Sequence, residues 1–133
     1  MENENRLLTY DEALEYLNGV AQTLPQEVYA RLNGGVLLQP ETVPSPHSLS
    51  GDLYTLGTYF YDPYGLGRYI CIYYGSFAKV ARGQTEAQQK ATLREVLLHE
   101  FTHHLESLAG VRDLEAEDEA FLENYYREHG RQG

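Results

Sequence analysis

Residues 93–108, LREVLLHEFTHHLESL, contain both the pattern that decides the fold and the residues that suggest chemistry. Large apolar side chains recur here at the spacing of one broad helical face, at positions 93, 97, 98, 101, 105 and 108. His99 and His103 are four residues apart, so a helix places them one turn above each other on the flank of that face. Two imidazoles in this relation can bind a single metal ion.

Glu100 follows the first histidine and projects about 100° away from it around the helix. A carboxylate at this position can contact a metal-bound water without being a ligand itself. Zinc lowers the pKa of such a water to about 7, and the carboxylate can take its proton and pass it to a leaving amine. Glu100 also lies at the edge of the apolar arc, where an unpaired charge is costly and a metal with its water supplies a partner. We therefore predict that Glu100 is a general base, and that it is not a surface residue in an ordinary ion pair.

A catalytic zinc site needs a third protein ligand and an open position for water. Four acidic residues are candidates for the third ligand: Glu106, Asp113, Glu117 and Asp118. Asp118 is favoured because a turn after Gly110 could return it to the metal, whereas Glu106 would have to reach back along the helix. His104 points away from the pair and is predicted to be a buried or supporting histidine.

The region before this helix combines helical and strand patterns. Thr9 and Glu12 form a capping-box pattern that opens a helix ending near residue 24. The pattern then predicts a short helix at 26–32, a strand at 36–39 and a Pro- and Ser-rich loop at 40–52.

A β-hairpin is predicted next, followed by the long helix. Its strands cover residues 53–61 and 68–76, which are rich in Tyr, Ile and Thr and flank a turn sequence. Thr85 opens the long helix with a second capping box, Gly110 is expected to end it, and a last helix is predicted at 118–128. The chain is thus predicted to be one α+β domain, residues 1–133, with a small sheet packed against the histidine-bearing helix.

Composition excludes several classes of function. Twenty acidic against ten basic side chains give a formal charge of −10, which disfavours nucleic acid as a partner. Cys71 is the only cysteine, so a disulfide within the chain and a cysteine-based zinc cluster are excluded, and we expect a packed thiol. Neither a signal-peptide pattern nor an apolar run of membrane-spanning length is present, so a cytoplasmic location without membrane association is expected.

Four segments carry a resemblance to a known family: LNGGV at 32–36, DPYGLGRYI at 62–70, YYGSF at 73–77 and HEFTHHLESLAG at 99–110. In these segments the chain resembles the bacterial minimal zincins, zinc metallopeptidases related to the Asp-zincins with their His-Glu-x-x-His-x-x-Gly-x-x-Asp signature. The resemblance implies that His99 and His103 are zinc ligands, that Glu100 is the catalytic carboxylate, and that the metal helix packs on a small sheet. The chain departs from the signature at Glu106, which stands where the family has glycine, and Asp118 is aligned with the acidic pair that opens the family's final helix.

These observations together predict a zinc metallopeptidase, a hydrolase with one zinc ion that acts on a peptide or small protein. The alternative is a zinc-binding or protein-interaction domain without turnover. A purely structural α+β domain is a third possibility, and it predicts that the purified protein contains no metal.

Overall fold

The computed structural model describes residues 6–46 and 53–129, with side chains up to Gly110. Three α-helices accompany three strands: α1 (Tyr10–Gln22), β1 (Gly35–Gln39), β2 (Gly57–Asp62), β3 (Gly67–Tyr73), α2 (Tyr74–Val80) and α3 (Glu86–His129). A 3-10 helix, Gln26–Tyr29, follows α1. The predicted α+β class is confirmed.

The sheet has the strand order β1-β3-β2, with β1 parallel and β2 antiparallel to β3. The predicted hairpin is confirmed, and the strand predicted at 36–39 pairs with the far side of β3. Residues paired directly across a sheet share a face, so Tyr59 lies on the same face as Ile70, and Gly57 on the same face as Ile72. That face is covered by α3.

The core lies between this face of the sheet and the helices α1 and α3. Its fully buried side chains include Ile70 and Ile72 from β3 together with Leu93 and Leu97 from α3. Cys71 is buried on the other face of β3, as expected of a packed thiol.

Both capping boxes predicted from the sequence are present. The Thr9 hydroxyl accepts from the Glu12 N–H while the Glu12 carboxylate accepts from the Thr9 N–H. Thr85 and Gln88 exchange the same pair of bonds at the start of α3, at 2.9 and 3.2 Å. Each box satisfies backbone donors that a helix start would otherwise leave unpaired.

Several predicted element boundaries are wrong. The first hairpin strand begins at Gly57 instead of residue 53, and the short helix predicted at 26–32 is the 3-10 helix Gln26–Tyr29. The second hairpin strand ends at Tyr73, and the chain then turns into α2, whose Ser76 and Phe77 are buried. The helix predicted to end at Gly110 continues to His129 and includes the segment predicted as a separate helix. A glycine inside a helix costs only about 1 kcal/mol relative to alanine, so it does not by itself end one.

The predicted loop at 40–52 lies partly outside the described residues, since 47–52 are not described. Residues 40–46 form no regular helix or strand, and Pro44 makes an isolated bridge with Tyr54. Among the described residues, no helix combines the length and apolar character needed to cross a bilayer.

Candidate metal and catalytic site

Helix α3 positions the motif by burying one side of itself. Leu93, Leu97 and Phe101, spaced four residues apart, are at most 3% exposed against the sheet and α1. This stripe fixes the rotation of the helix, and it leaves His99 and His103 together on the exposed flank.

The two predicted metal-ligating histidines converge. Their Nε2 atoms are 3.0 Å apart, and their rings stand nearly perpendicular, with centroids separated by 4.5 Å. Zinc binds imidazole nitrogen at about 2.0–2.1 Å, so one ion can reach both Nε2 atoms at this separation. The donor set and its spacing therefore fit a divalent metal that prefers imidazole.

Glu106, one of the candidate third ligands, lies on the other side of the His103 ring. Its carboxylate oxygen is 3.5 Å from Nδ1 of His103, the nitrogen that does not face His99. A carboxylate there favours the tautomer with hydrogen on Nδ1, which leaves the Nε2 lone pair of His103 directed toward His99. Glu106 is thus placed to orient a ligand.

Glu100 is buried immediately beside the exposed pair. Its residue surface is 5% exposed, and burial raises the pKa of its carboxyl group, while the charges of His103 and His99 act in the opposite direction. A raised pKa suits a group that must accept a proton and release it again. The burial predicted for Glu100 is confirmed.

Gly57 allows strand β2 to approach α3 beside this carboxylate. A Cβ atom added to Gly57 would lie 2.8 Å from Cγ1 of Val96 and 3.2 Å from Cγ of Glu100. Any side chain at this position would displace one of the two residues. The glycine therefore determines how closely the edge strand lies to the predicted base.

A cavity of about 880 Å³ opens between β2 and α3. One wall consists of edge-strand residues around Gly57, and the other contains the motif residues; the lining includes Thr55, Gly57, Tyr59, His99, Glu100, His103, Glu106 and Ser107. A second cavity of about 440 Å³ shares His99 and Glu100 and extends the first toward Glu95 and Val96. The histidine pair and the carboxylate thus face one open groove beside a strand edge.

His104 lies in the core, as the sequence indicated. It is fully buried, its Nε2 is 2.9 Å from the carbonyl oxygen of Ala30, and its Nδ1 is 2.8 Å from the hydroxyl of Tyr59. The carbonyl can only accept, so Nε2 carries the hydrogen and Nδ1 accepts from Tyr59. Burial lowers the pKa of His104, which keeps the ring neutral.

The third metal ligand is not found among the described side chains. Within residues 6–46 and 53–110, no three His, Cys, Asp or Glu side chains are grouped so that they could hold an ion. The side chains of Asp113, Glu117 and Asp118 lie outside the described set. In helix α3, Asp118 lies about 22 Å along the axis from His103, so a ligand role for Asp118 requires the helix to be interrupted after Gly110.

Sequence reasoning missed Gly57, Tyr59 and Arg68, which shape the sheet side of the site. The only local signal was the alternation of the hairpin strands, which places Gly57 and Tyr59 on one face. Alternation does not reveal which element covers that face.

A solved structure of a conserved hypothetical protein from Thermus thermophilus is similar to this chain. The two share 35% sequence identity with a TM-score of 0.65, and the alignment covers 77% of this chain and 98% of that chain. This chain belongs to the family of that protein. No family model matches the chain, and no curated protein matches it. The relative therefore supports the fold of this chain, and its description as a conserved hypothetical protein assigns no activity.

Proposed function

We propose that this protein is a zinc-dependent hydrolase of peptide bonds of the minimal zincin type. The observation that carries the proposal is the convergence of the His99 and His103 Nε2 atoms at 3.0 Å, next to the buried Glu100, in one groove. An ordinary pair of surface histidines has no need of a desolvated carboxylate beside it. The combination is typical of a site that binds a metal and moves a proton.

A zinc ion held by the two imidazoles would polarise a substrate carbonyl and acidify a water molecule. Glu100, buried beside the histidine pair, would take the proton of the attacking water. The same carboxyl group delivers the proton to the leaving nitrogen. Gly57 lets strand β2 approach the side chain of Glu100 closely.

The edge strand supports an extended peptide as the substrate. Strand β2 is at the edge of the sheet and forms the wall of the groove opposite the histidines. An extended chain can add to such an edge through main-chain hydrogen bonds, with alternate side chains entering the groove. A peptide in this position passes beside both the histidine pair and Glu100.

Asp118 stays our prediction for the third ligand, and it requires the chain after Gly110 to turn back toward His103. Zinc affinity of single alanine variants tests this prediction. Asp118→Ala is expected to weaken zinc binding by about 10- to 100-fold or more. Glu106→Ala, Asp113→Ala and Glu117→Ala serve as comparisons, and a larger loss in one of them reassigns the ligand.

Activity is tested by adding equimolar zinc and assaying a mixed peptide library. The wild type should cleave only with zinc, and Glu100→Gln should lose cleavage while keeping zinc. Glu86→Gln is the matched control, because it makes the same chemical change at an exposed position at the start of α3. Tight zinc binding without cleavage would instead support the non-catalytic zinc-binding domain, and no zinc binding would support a structural role.

A further inference from the structure

A buried arginine lies behind the groove, beyond the histidine pair. Arg68 of β3 is 3% exposed, and its Nη1 donates to the hydroxyl oxygen of Tyr59 at 3.1 Å and to Oγ of Ser107. Both hydroxyl-bearing residues line the groove. Arg68 therefore acts on the groove through two neutral hydroxyl groups.

The positive charge of Arg68 has no carboxylate partner among the side chains described, residues 6–46 and 53–110. Its other described contact is the ring of Tyr61, 4.1 Å from the guanidinium carbon. Burying a charge without a counter-charge is costly, and polarised hydroxyls and an aromatic face compensate only part of that cost. The guanidinium of Arg68 therefore places a positive charge behind the two hydroxyl groups of the groove wall.

The Tyr59 hydroxyl cannot offer its proton to a ligand in the groove. The Ala30 carbonyl accepts from Nε2 of His104, so Nδ1 of His104 must accept from Tyr59. The oxygen of Tyr59 in turn accepts from Arg68. The hydrogen bonds that link Arg68, Tyr59, His104 and Ala30 therefore each have a fixed direction. The phenolic proton of Tyr59 points toward Nδ1 of His104.

Ser107 differs from Tyr59 in what its hydroxyl proton does. Its oxygen accepts from Arg68, and no bond donated by its hydroxyl is found among the described residues. Ser107 follows His103 by one helical turn, a rise of about 6 Å. Its proton is thus available on the groove wall, close to the histidine pair, and the bond from Arg68 makes it a stronger donor.

We propose that Ser107, strengthened by Arg68, is the hydrogen-bond donor that positions a peptide in the groove by binding one of its main-chain carbonyl oxygens. The inference rests on the proposed function, because it takes the groove as a peptide site. Glu106 lines the same groove and repels a full negative charge, so a neutral carbonyl is preferred over a terminal carboxylate. The rise of about 6 Å from His103 to Ser107 corresponds to one or two residues of an extended peptide. The carbonyl that Ser107 binds is therefore one or two residues away from the peptide bond beside the histidines.

The test is the binding of a short peptide blocked at both ends to the zinc-loaded protein, measured by calorimetry with Glu100→Gln in every protein so that the peptide is not cleaved. Ser107→Ala should weaken binding by about 10-fold, the loss expected for one hydrogen bond whose donor is polarised by a neighbouring charge. Ser107→Thr, which keeps the hydroxyl, should bind within about threefold of the wild type. Thr92→Ala is the matched control, because Thr92 is on the same helix, outside the groove, and bonds to the Gln88 carbonyl at 3.0 Å.

Three results would overturn the proposal: unchanged binding by Ser107→Ala, a loss seen only with the free-acid form of the peptide, or no binding of blocked peptide by the wild type. Zinc affinity measured alongside should be equal in all variants, which separates a ligand contact from damage to the metal site. Peptide binding in this test, together with no cleavage by the zinc-loaded protein that keeps Glu100, would contradict the proposed hydrolase and leave the assignment of Ser107 standing.

Discussion

The Nε2 atoms of His99 and His103 face each other at 3.0 Å from adjacent turns of α3. With zinc at a hundredfold excess over its dissociation constant, binding to this pair should stabilise the fold by about 2.7 kcal/mol. Either His99→Ala or His103→Ala should abolish the stabilisation, because each removes one of the two convergent nitrogens. Thermal unfolding with and without zinc measures it, and His129→Ala, at the last residue of α3, is the control. A wild type that zinc does not stabilise would argue against a metal site here.

Gly57→Ala should disturb both folding and activity. The added methyl group meets Val96 and Glu100 at 2.8 and 3.2 Å, so the strand or the carboxylate must move. Overpacking of this kind costs about 1–3 kcal/mol, which urea unfolding can measure.

Gly19→Ala is the contrasting variant, because Gly19 is inside α1 with nothing within 4 Å of an added Cβ. It should raise stability by about 0.5–1 kcal/mol through helix propensity. If Gly19→Ala lowered stability as much as Gly57→Ala, the close approach of Gly57 to Val96 and Glu100 would not be the cause of the lost stability.

Gln89→Leu should destabilise the protein by about 3 kcal/mol, since it leaves buried backbone groups unpaired. Gln89 is fully buried, accepts from the Leu8 N–H at 2.8 Å, and donates to the carbonyls of Arg6 and Gln84 at 2.9 and 3.0 Å. It attaches the segment before α1 to the start of α3. Chemical denaturation measures the change, and amide hydrogen exchange at Leu8 should accelerate. Protection of Leu8 equal to that in the wild type would contradict this role.

Stability should fall at acid pH through Glu12. Hydrogen bonds from Arg6 and from the Thr9 N–H lower the pKa of this carboxyl group from 4.5 to about 2. A carboxyl with a lowered pKa in the folded state stabilises the fold above its unfolded pKa, and the contribution disappears as pH falls from 4.5 toward 2. Melting temperatures across this range should decrease less in Glu12→Gln than in the wild type. Parallel pH profiles for the two proteins would show that the Arg6–Glu12 pair is not responsible.

Several features could be predicted because their cause is local in the sequence. The apolar spacing of Leu93, Leu97 and Phe101 determines which side of α3 is buried, and the four-residue interval then places His99 and His103 together. Capping boxes and the alternating hairpin strands are likewise formed by neighbouring residues. The α+β class follows from these elements.

Helix α2 shows where local patterns fail. Its sequence, YGSFAKV, continues a strand-like run and begins with residues of modest helix propensity. Burial of Phe77 and the hydrogen bond from the Val43 N–H to Ser76 Oγ at 2.8 Å compensate for that low propensity. Both contacts are supplied by the folded core.

The sequence by itself determined the histidine pair, its neighbouring carboxylate and the face of α3 that carries them, since each depends on helical geometry over a few residues. Only the tertiary structure decided that Gly57 lies against Glu100 and that Tyr59 joins Arg68 to His104. Tyr59 and His104 are 45 residues apart in the chain. Such pairs meet because the sheet and α3 bury their apolar faces together, and side-chain spacing within one element carries no information about its partner.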